Sequence, residues 1–322
     1  MLKEQKEQWK QKINSIITKM GISNSSFAKM CGVTRGTVGK WCNEGALPRG
    51  REVFIKIGLA AGYNRVQINN LLTRYGRYSE LYSKSPGDCV CIYVIEHFKE
   101  NRVESYNRIL EEIRDAALGS RNRDFDMSTV KVESMLHEIN EEQELKQFIF
   151  DNSNIFASSY QKLYANFDAQ IKENIRPYSN DDGVEMEGSI HHLESEMGLS
   201  PIISQSIYDI KNYCWDPSRD KIIAIGIDLG MNHDQIDKML GLAHMEKRCA
   251  RNIHEAVIMY ILDSADANLP PIENEGSFAK EIYIDSLRDY AKYVIEELGL
   301  SEEMSDFLSN IGEKEGNRYE RE

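Results

Sequence analysis

Apolar residues recur along this chain every three or four positions, the spacing of one side of an α-helix. Trp9, Ile13, Ile16 and Ile17 follow this spacing and predict a helix over residues 7–20 that ends at Gly21. Valine, isoleucine and threonine do not gather into alternating runs bounded by turns, which is the pattern typical of strands. The chain is therefore predicted to be all-α.

The same spacing predicts further helices between breaks at glycine, asparagine, threonine and proline. In the first part of the chain these helices are predicted over residues 24–31, 35–43 (with Thr34 as the cap), 51–61, 66–75, 87–100 and 106–118.

Breaks in the apolar pattern divide the chain into four parts. A polar run at 119–124 and a segment rich in Pro, Asp and Gly at 176–188 interrupt the helices. We therefore expect a domain at 1–118 with its core at 13–72, a helical middle segment at 119–182, a helical domain at 183–312 and a frayed tail at 313–322. The aromatic residues of the middle segment have helical spacing and are predicted to be core: Phe148, Phe150, Phe156, Tyr160, Tyr164 and Phe167.

Charge is divided unequally between the two ends of the chain. Residues 1–82 hold 14 Lys+Arg against 5 Asp+Glu, whereas the remaining residues hold 25 against 47. A basic head on an acidic body favours a polyanionic partner for the head alone. Taken together with the helix-turn-helix pattern at residues 26–41, this distribution predicts double-stranded DNA as the partner.

Two segments of the chain resemble each other. Residues 51–72 and 219–240 align without gaps and share nine identities in 22 positions, including Gly58 with Gly226 and Gly62 with Gly230. One residue of slippage later, residues 88–96 parallel 255–263. The prediction is a repeated helical unit whose second copy is degenerate: residues 19–52 hold six Lys+Arg and two Glu, whereas residues 189–220 hold two Lys+Arg and five acids. The second copy is poorly suited to neutralise phosphates.

Residues 26–41 have the pattern of a helix-turn-helix. Ala28 is small where the second helix crosses the first, and Gly32 suits the positive φ of the turn four residues later. Val33, Val38 and Trp41 are spaced to hold the second helix against the core.

This spacing, continued by Gly45 to Pro48, resembles the lambda-repressor/Cro-like (XRE) family of helix-turn-helix proteins. The resemblance implies that residues 34–43 form a recognition helix that reads the major groove. Two features depart from the family pattern: Cys42 stands where many members have Glu, and two glycines lie inside the recognition helix. Outside the head the chain resembles uncharacterised helical proteins of the Firmicutes type, which implies a bacterial origin and supplies no activity.

The resemblance implies a set of DNA-contacting residues. Recognition-helix positions that face the groove are Thr34, Arg35, Gly36, Thr37, Gly39 and Lys40. Among them Arg35 suits direct readout, because a guanidinium can bind guanine O6 and N7 together. Asn24 and Ser25 are expected to contact phosphate at the start of the preceding helix. Further phosphate contacts are expected from four basic side chains, Lys29, Lys40, Arg49 and Arg51.

Other chemistry has little support in the sequence. None of the six cysteines forms a CxxC pair, so buried reduced thiols are expected and no structural metal. His191 and His192 are predicted to lie in a loop, and adjacent histidines would point apart if they were on a helix, so no metal site is expected there. No phosphate-binding glycine motif occurs. We expect no catalytic site, no cofactor and no membrane segment, and a cytoplasmic, nucleoid-associated protein.

The sequence thus predicts a sequence-specific transcriptional regulator, repressor-like, that binds DNA as a homodimer. Its acidic body would dimerise or sense a signal. Two alternatives stay open. One is a helical adaptor in signalling or phage defence with a vestigial DNA-binding head. The other is a regulator gated by a peptide or small molecule bound between the aromatic helices.

Overall fold

A computed structural model of the chain describes residues 2–117, 127–153, 155–156, 217–269 and 277–311, together with positions 203, 205, 206 and 209. These residues form helices and no strand, which confirms the all-α prediction. The predicted breaks at 119–124 and 176–188 and the tail at 313–322 lie outside the described residues. The chain divides into two compact units, Met1–Gln161 and Lys162–Glu322.

The first unit contains the helices predicted for the head, with small shifts at their ends. In chain order they are α1 (Leu2–Met20), α2 (Asn24–Cys31), α3 (Arg35–Glu44), α4 (Arg51–Ala60), α5 (Arg65–Leu71, continued by a π-helical turn over Leu72–Gly76), α6 (Pro86–His97), α7 (Arg102–Ala117), α8 (Thr129–His137) and α9 (Glu142–Asp151).

An aromatic cluster ties α1 to the centre of this unit. The Trp9 ring lies 5.6 Å from that of Phe54 and 5.2 Å from that of Tyr75, centroid to centroid. Trp9 and Phe54 are fully buried. Tilted aromatic pairs of this kind add to the free energy gained from burial alone. The N-terminal helix is therefore part of the core.

The helices α8 and α9 belong to the first unit, a difference from the separate middle segment that the sequence predicts. They pack against α6, and α9 also packs against α7. The Tyr93 hydroxyl of α6 donates to the Asn140 carbonyl oxygen at 3.3 Å. Arg108 of α7 binds both carboxylate oxygens of Glu142, at 2.5 and 2.6 Å. The Arg108 and Lys146 side chains lower the pKa of Glu142 to about 2.

The aromatic residues of the middle segment have two different environments. Phe148 and Phe156 are buried and meet edge to face, with centroids 6.4 Å apart, as the core prediction requires. Phe150 is 61% exposed, so the core prediction is wrong for this residue. It lies two residues from Phe148, which puts the two side chains on opposite sides of α9. Tyr160, Tyr164 and Phe167 lie outside the described residues.

The second unit is built on a smaller set of described helices. These helices are α10 (Arg219–Asp228), α11 (His233–Leu242), α12 (Ile253–Asn268), α13 (Ser277–Glu297) and α14 (Ser305–Leu308). Among the pairs that pack together, α10 contacts α11, α13 and α14, and α12 contacts α13. The apolar run at 222–227 is buried in this core.

The two similar segments have the same local geometry. In each, the first helix is followed by a glycine with positive φ, +67° at Gly62 and +62° at Gly230. Two residues later Asn64 or Asn232 caps the next helix, and a glutamine three residues on completes a capping box. The segments thus match in backbone conformation as well as in sequence, while their origin by duplication stays a prediction.

A tight helix crossing accounts for Gly58 and Gly226, the other pair of glycines that the two segments share. A Cβ on Gly58 would lie 2.6 Å from Cγ1 of Ile68, and a Cβ on Gly226 would lie 2.5 Å from Cγ1 of Ile236. Both isoleucines are fully buried. Only a residue without a side chain allows each helix pair to approach this closely.

We expect Gly58→Ala and Gly226→Ala each to lower the free energy of unfolding by about 1–3 kcal/mol, because the added methyl group overpacks the crossing. Chemical denaturation of the full chain measures the effect. Gly241→Ala is the control, since a Cβ there meets no atom within 4 Å. Equal stability of the Gly58→Ala protein and the wild type would contradict the crossing described.

Candidate nucleic-acid interface

Local signals in the sequence determine where α2 and α3 begin and end. The Ser23 hydroxyl accepts from the Ser26 amide and begins α2. Gly32 ends α2 in the left-handed conformation, with φ +70°, as the turn prediction requires. The Thr34 hydroxyl accepts from the Thr37 amide at 3.1 Å and begins α3. The helix therefore begins after the capping Thr34, as its spacing predicts, and ends at Glu44, one residue later than predicted.

Burial fixes the orientation of α3. Val38 is fully buried and Trp41 is nearly so, and α3 packs against α1 and α2. Ala28, the small residue expected at the crossing, is 2% exposed. The Asn14 side chain of α1 donates to the Cys42 carbonyl oxygen at 2.9 Å, which binds α1 to the last turn of α3.

The outer side of α3 carries Gly36, Gly39, Lys40 and Asn43. These positions are three and four residues apart and therefore share one side of the helix, away from Val38. Gly36, Lys40 and Asn43 are exposed, and Gly39 is half-buried. The two glycines themselves add no side chain to this side of the helix.

Four basic residues at this surface are exposed and carry unneutralised charge. Lys29 is on α2, Arg35 and Lys40 are on α3, and Arg49 is in the loop that follows. In the described parts of the chain, none of their side chains has an ion pair or hydrogen bond. We call these four residues the basic set.

Some other basic residues of the same unit are neutralised by carboxylates. The Lys56 ammonium lies 2.6 Å from a Glu52 oxygen, and the Arg65 guanidinium lies 2.7 Å from Glu133. Lys19, Lys99 and Lys131 are exposed and have no ion pair among the described residues, but they are on other helices or loops. Because α2 and α3 pack against each other, three unpaired cations of the basic set lie on adjacent helices. Such a surface attracts anions more strongly than one whose charges are paired.

The structure changes the interpretation of several other predicted contacts. Asn24 is half-buried and Ser25 is exposed in the first turn of α2, as expected. Thr34 acts as the cap of α3, and its hydroxyl lies 2.8 Å from that of the half-buried Thr37. These two hydroxyls therefore already have partners within the helix.

The prediction that Arg51 contacts phosphate is wrong. Its side chain is 6% exposed, and its guanidinium makes a two-pronged ion pair with Asp88, at 2.7 and 2.8 Å. The sequence shows that Arg51 is close to Arg49, but Asp88, the partner of Arg51, lies 37 positions further along the chain.

Asn43 is a candidate contact that the prediction omits. It is exposed on the outer side of α3, and the amide of asparagine can bind adenine N6 and N7 together. The signal for it is in the sequence, because 36, 39, 40 and 43 repeat at helical spacing.

The thiols of the first unit are unsuited to reaction. Cys31, Cys42, Cys89 and Cys91 are buried and unpaired, and burial raises the pKa of Cys31 to about 12. The expectation of buried thiols is wrong for Cys249, which is exposed. Cys214 lies outside the described residues.

The structure reports on two further kinds of site within its described ranges. No group of three or more His, Cys, Asp and Glu side chains is placed there to hold a metal ion. None of the helices in those ranges combines the length and the hydrophobicity that crossing a membrane requires. His191 and His192 lie outside them.

Comparison with protein-family models, with curated proteins and with solved structures finds no match to the chain.

The two glycines of α3 are not required by the fold. A Cβ on Gly39 would meet no atom within 4 Å, and a Cβ on Gly36 would meet only Thr34 Oγ1, at 3.7 Å. Neither has a positive φ. A glycine inside a helix costs about 0.5–1 kcal/mol relative to alanine.

We expect Gly39→Ala to raise the free energy of unfolding by about 0.5–1 kcal/mol, because helix propensity improves and no clash follows. Urea denaturation followed by circular dichroism measures this change. A destabilised Gly39→Ala protein would show that the fold itself needs the glycine.

Proposed function

We propose that this protein is a sequence-specific DNA-binding regulator in which α3 enters the major groove of double-stranded DNA. The observation that carries the proposal is the basic set: four exposed, unpaired cations on α2, α3 and the following loop. Arg51 and Arg65 of the same unit, by contrast, are paired with the carboxylates of Asp88 and Glu133.

The geometry of α2 and α3 supports this function. A small residue at the crossing, a left-handed glycine in the turn and buried apolar anchors on the second helix are the features of a helix-turn-helix. They are also the features on which the resemblance to the lambda-repressor/Cro-like family depends. In that motif the second helix lies in the major groove.

Each member of the surface has a chemical role in the proposal. Arg35 binds a guanine edge, and Asn43 binds an adenine edge when the groove presents one. Lys29 and Arg49 bind phosphate and set the register of the helix on the duplex. Lys40, on the outer side, supplies a further charge in the groove.

The glycines allow a close approach to the bases. Gly36 and Gly39 leave the outer side of the first turns without side chains, so the backbone itself can lie against the base edges. The proposal therefore expects Gly39→Ala, although more stable alone, to bind duplex DNA less tightly than the wild type.

Specific binding needs two heads, and therefore two chains. A single small head buries little surface, and specific protein–DNA complexes of this kind commonly use two half-sites about 34 Å apart. The acidic composition of the rest of the chain makes it unsuited to contact phosphate. We assign that part to pairing of the two chains or to sensing a signal.

One observation favours a second function, that of a helical adaptor. Tyr260 and Tyr293 in the second unit are 56% and 58% exposed, which is unusual for large aromatic side chains. Exposed aromatic residues are common in protein–protein interfaces. In this alternative the basic head is vestigial.

We expect Arg35→Ala and Lys29→Ala to weaken DNA binding in different ways. Loss of Arg35 should reduce the preference for the specific DNA site, once it has been found by selection from random duplexes, over a duplex of random sequence about 10- to 100-fold, because a base contact is lost. Loss of Lys29 should weaken all sequences alike and reduce the slope of log K against log salt by about 0.9. Fluorescence anisotropy with both duplexes over a range of salt concentrations measures the two effects.

Lys131→Ala is the matched control, since this lysine is equally exposed but belongs to α8, which packs against α6. It should change neither quantity. Absence of DNA binding by the intact protein at low salt would eliminate the regulator and leave the adaptor.

A further inference from the structure

The Arg51 guanidinium donates three hydrogen bonds to two partners. It binds both Asp88 oxygens, and its Nη2 also donates to the Glu80 carbonyl oxygen at 3.0 Å. Asp88 is 4% exposed at its side chain. A two-pronged arginine–carboxylate pair fixes direction as well as distance. Arg51 is therefore immobile.

The carboxylate is fixed as firmly as its partner. The Tyr82 amide donates to Asp88 Oδ2 at 2.8 Å. Asp88 lies in the first turn of α6, whose N-terminus is capped by Ser85. The pair consequently joins the start of α4 to the start of α6.

Arg51 is also the first residue of α4, directly after the loop that carries Arg49. This loop begins at Gly45 and ends at Gly50, and both glycines have positive φ. No side chain caps α4 at Gly50. The ion pair thus anchors the first residue of α4 at the end of the loop, two residues from the exposed Arg49.

The second unit contains the same anchor without the basic residue. Arg219 begins α10 and binds both Glu255 oxygens, at 2.7 and 3.1 Å, and the Cys249 amide donates to Glu255 Oε2 at 2.6 Å. The residue two positions before Arg219 is Pro217. The chain therefore holds two equivalent anchors, only one of which lies beside a cation of the basic set.

We propose that Arg51 is a positioning residue of the DNA interface, which acts by holding Arg49 where it meets phosphate. This inference rests on the proposed DNA-binding function and assigns Arg51 a role that its burial denies it as a direct contact. Asp88, although an acidic residue, shares this positioning role as the ion-pair partner of Arg51.

Asp88→Asn gives a test in which two explanations predict opposite signs. Removal of a negative charge from the head should strengthen DNA binding if only net charge matters. Loss of the anchor should instead weaken it about tenfold, the value of one hydrogen bond to a charged group. The affinity of the full chain for a mixed-sequence duplex is measured at fixed salt, at a temperature where circular dichroism shows each variant folded.

Arg49→Ala separates positioning from general damage. Asp88→Asn should have little further effect in the Arg49→Ala background, because both changes remove the same contact. Asp88→Glu, which copies the pair of the second unit, should keep affinity close to that of the wild type. Glu255→Gln, the equivalent change at the other anchor, should leave DNA affinity unchanged.

The outcomes are distinct. A loss of affinity in Asp88→Asn that disappears in the Arg49→Ala background supports the proposal. Unchanged or increased affinity in folded Asp88→Asn, or an equal loss in both backgrounds, overturns it. Failure of the wild-type chain to bind the duplex overturns the proposed function, and this inference with it.

Discussion

Val38 and Trp41 are buried, and α3 packs against α1 and α2. This packing presents Gly36, Lys40 and Asn43 to the outside, so the chemistry of the surface follows from the orientation of α3. The capping by Thr34 and the left-handed Gly32 fix where the helix begins, and therefore which residues share its outer side. The interpretation of the basic set as a DNA-contacting surface depends on this arrangement.

Much of this arrangement is visible in the sequence because its causes are local. A cap is signalled by a Thr before a helix, a turn by a glycine, and a buried side by spacing of three and four residues. The burial of Arg51 has a distant cause, since Asp88 and the Glu80 carbonyl come from later parts of the chain. The packing of α8 and α9 on α6 and α7 has no local signal either, because it depends on which apolar surfaces meet.

The two similar segments show how one scaffold can carry different surfaces. The positive-φ glycine, the capping box and the buried arginine–carboxylate pair occur in both. Tyr93 and Tyr260, at matching positions, differ: the first is 3% exposed beneath the Asn140 loop and the second is 56% exposed. The identities in the sequence reflect packing within each helix pair. The burial of residues on the outer surface of a pair depends instead on which other parts of the unit pack against that surface. Sequence similarity between the two segments therefore predicts their cores better than their surfaces.

The central claim is that α3 reads DNA sequence, and a selection experiment tests it most directly. The intact chain is mixed with a library of duplexes of random sequence at low salt, and the DNA that it retains is sequenced. The account predicts enrichment of one motif made of two symmetric half-sites about 34 Å apart. Retained DNA with the same sequence distribution as the starting library, or no retained DNA, would contradict it.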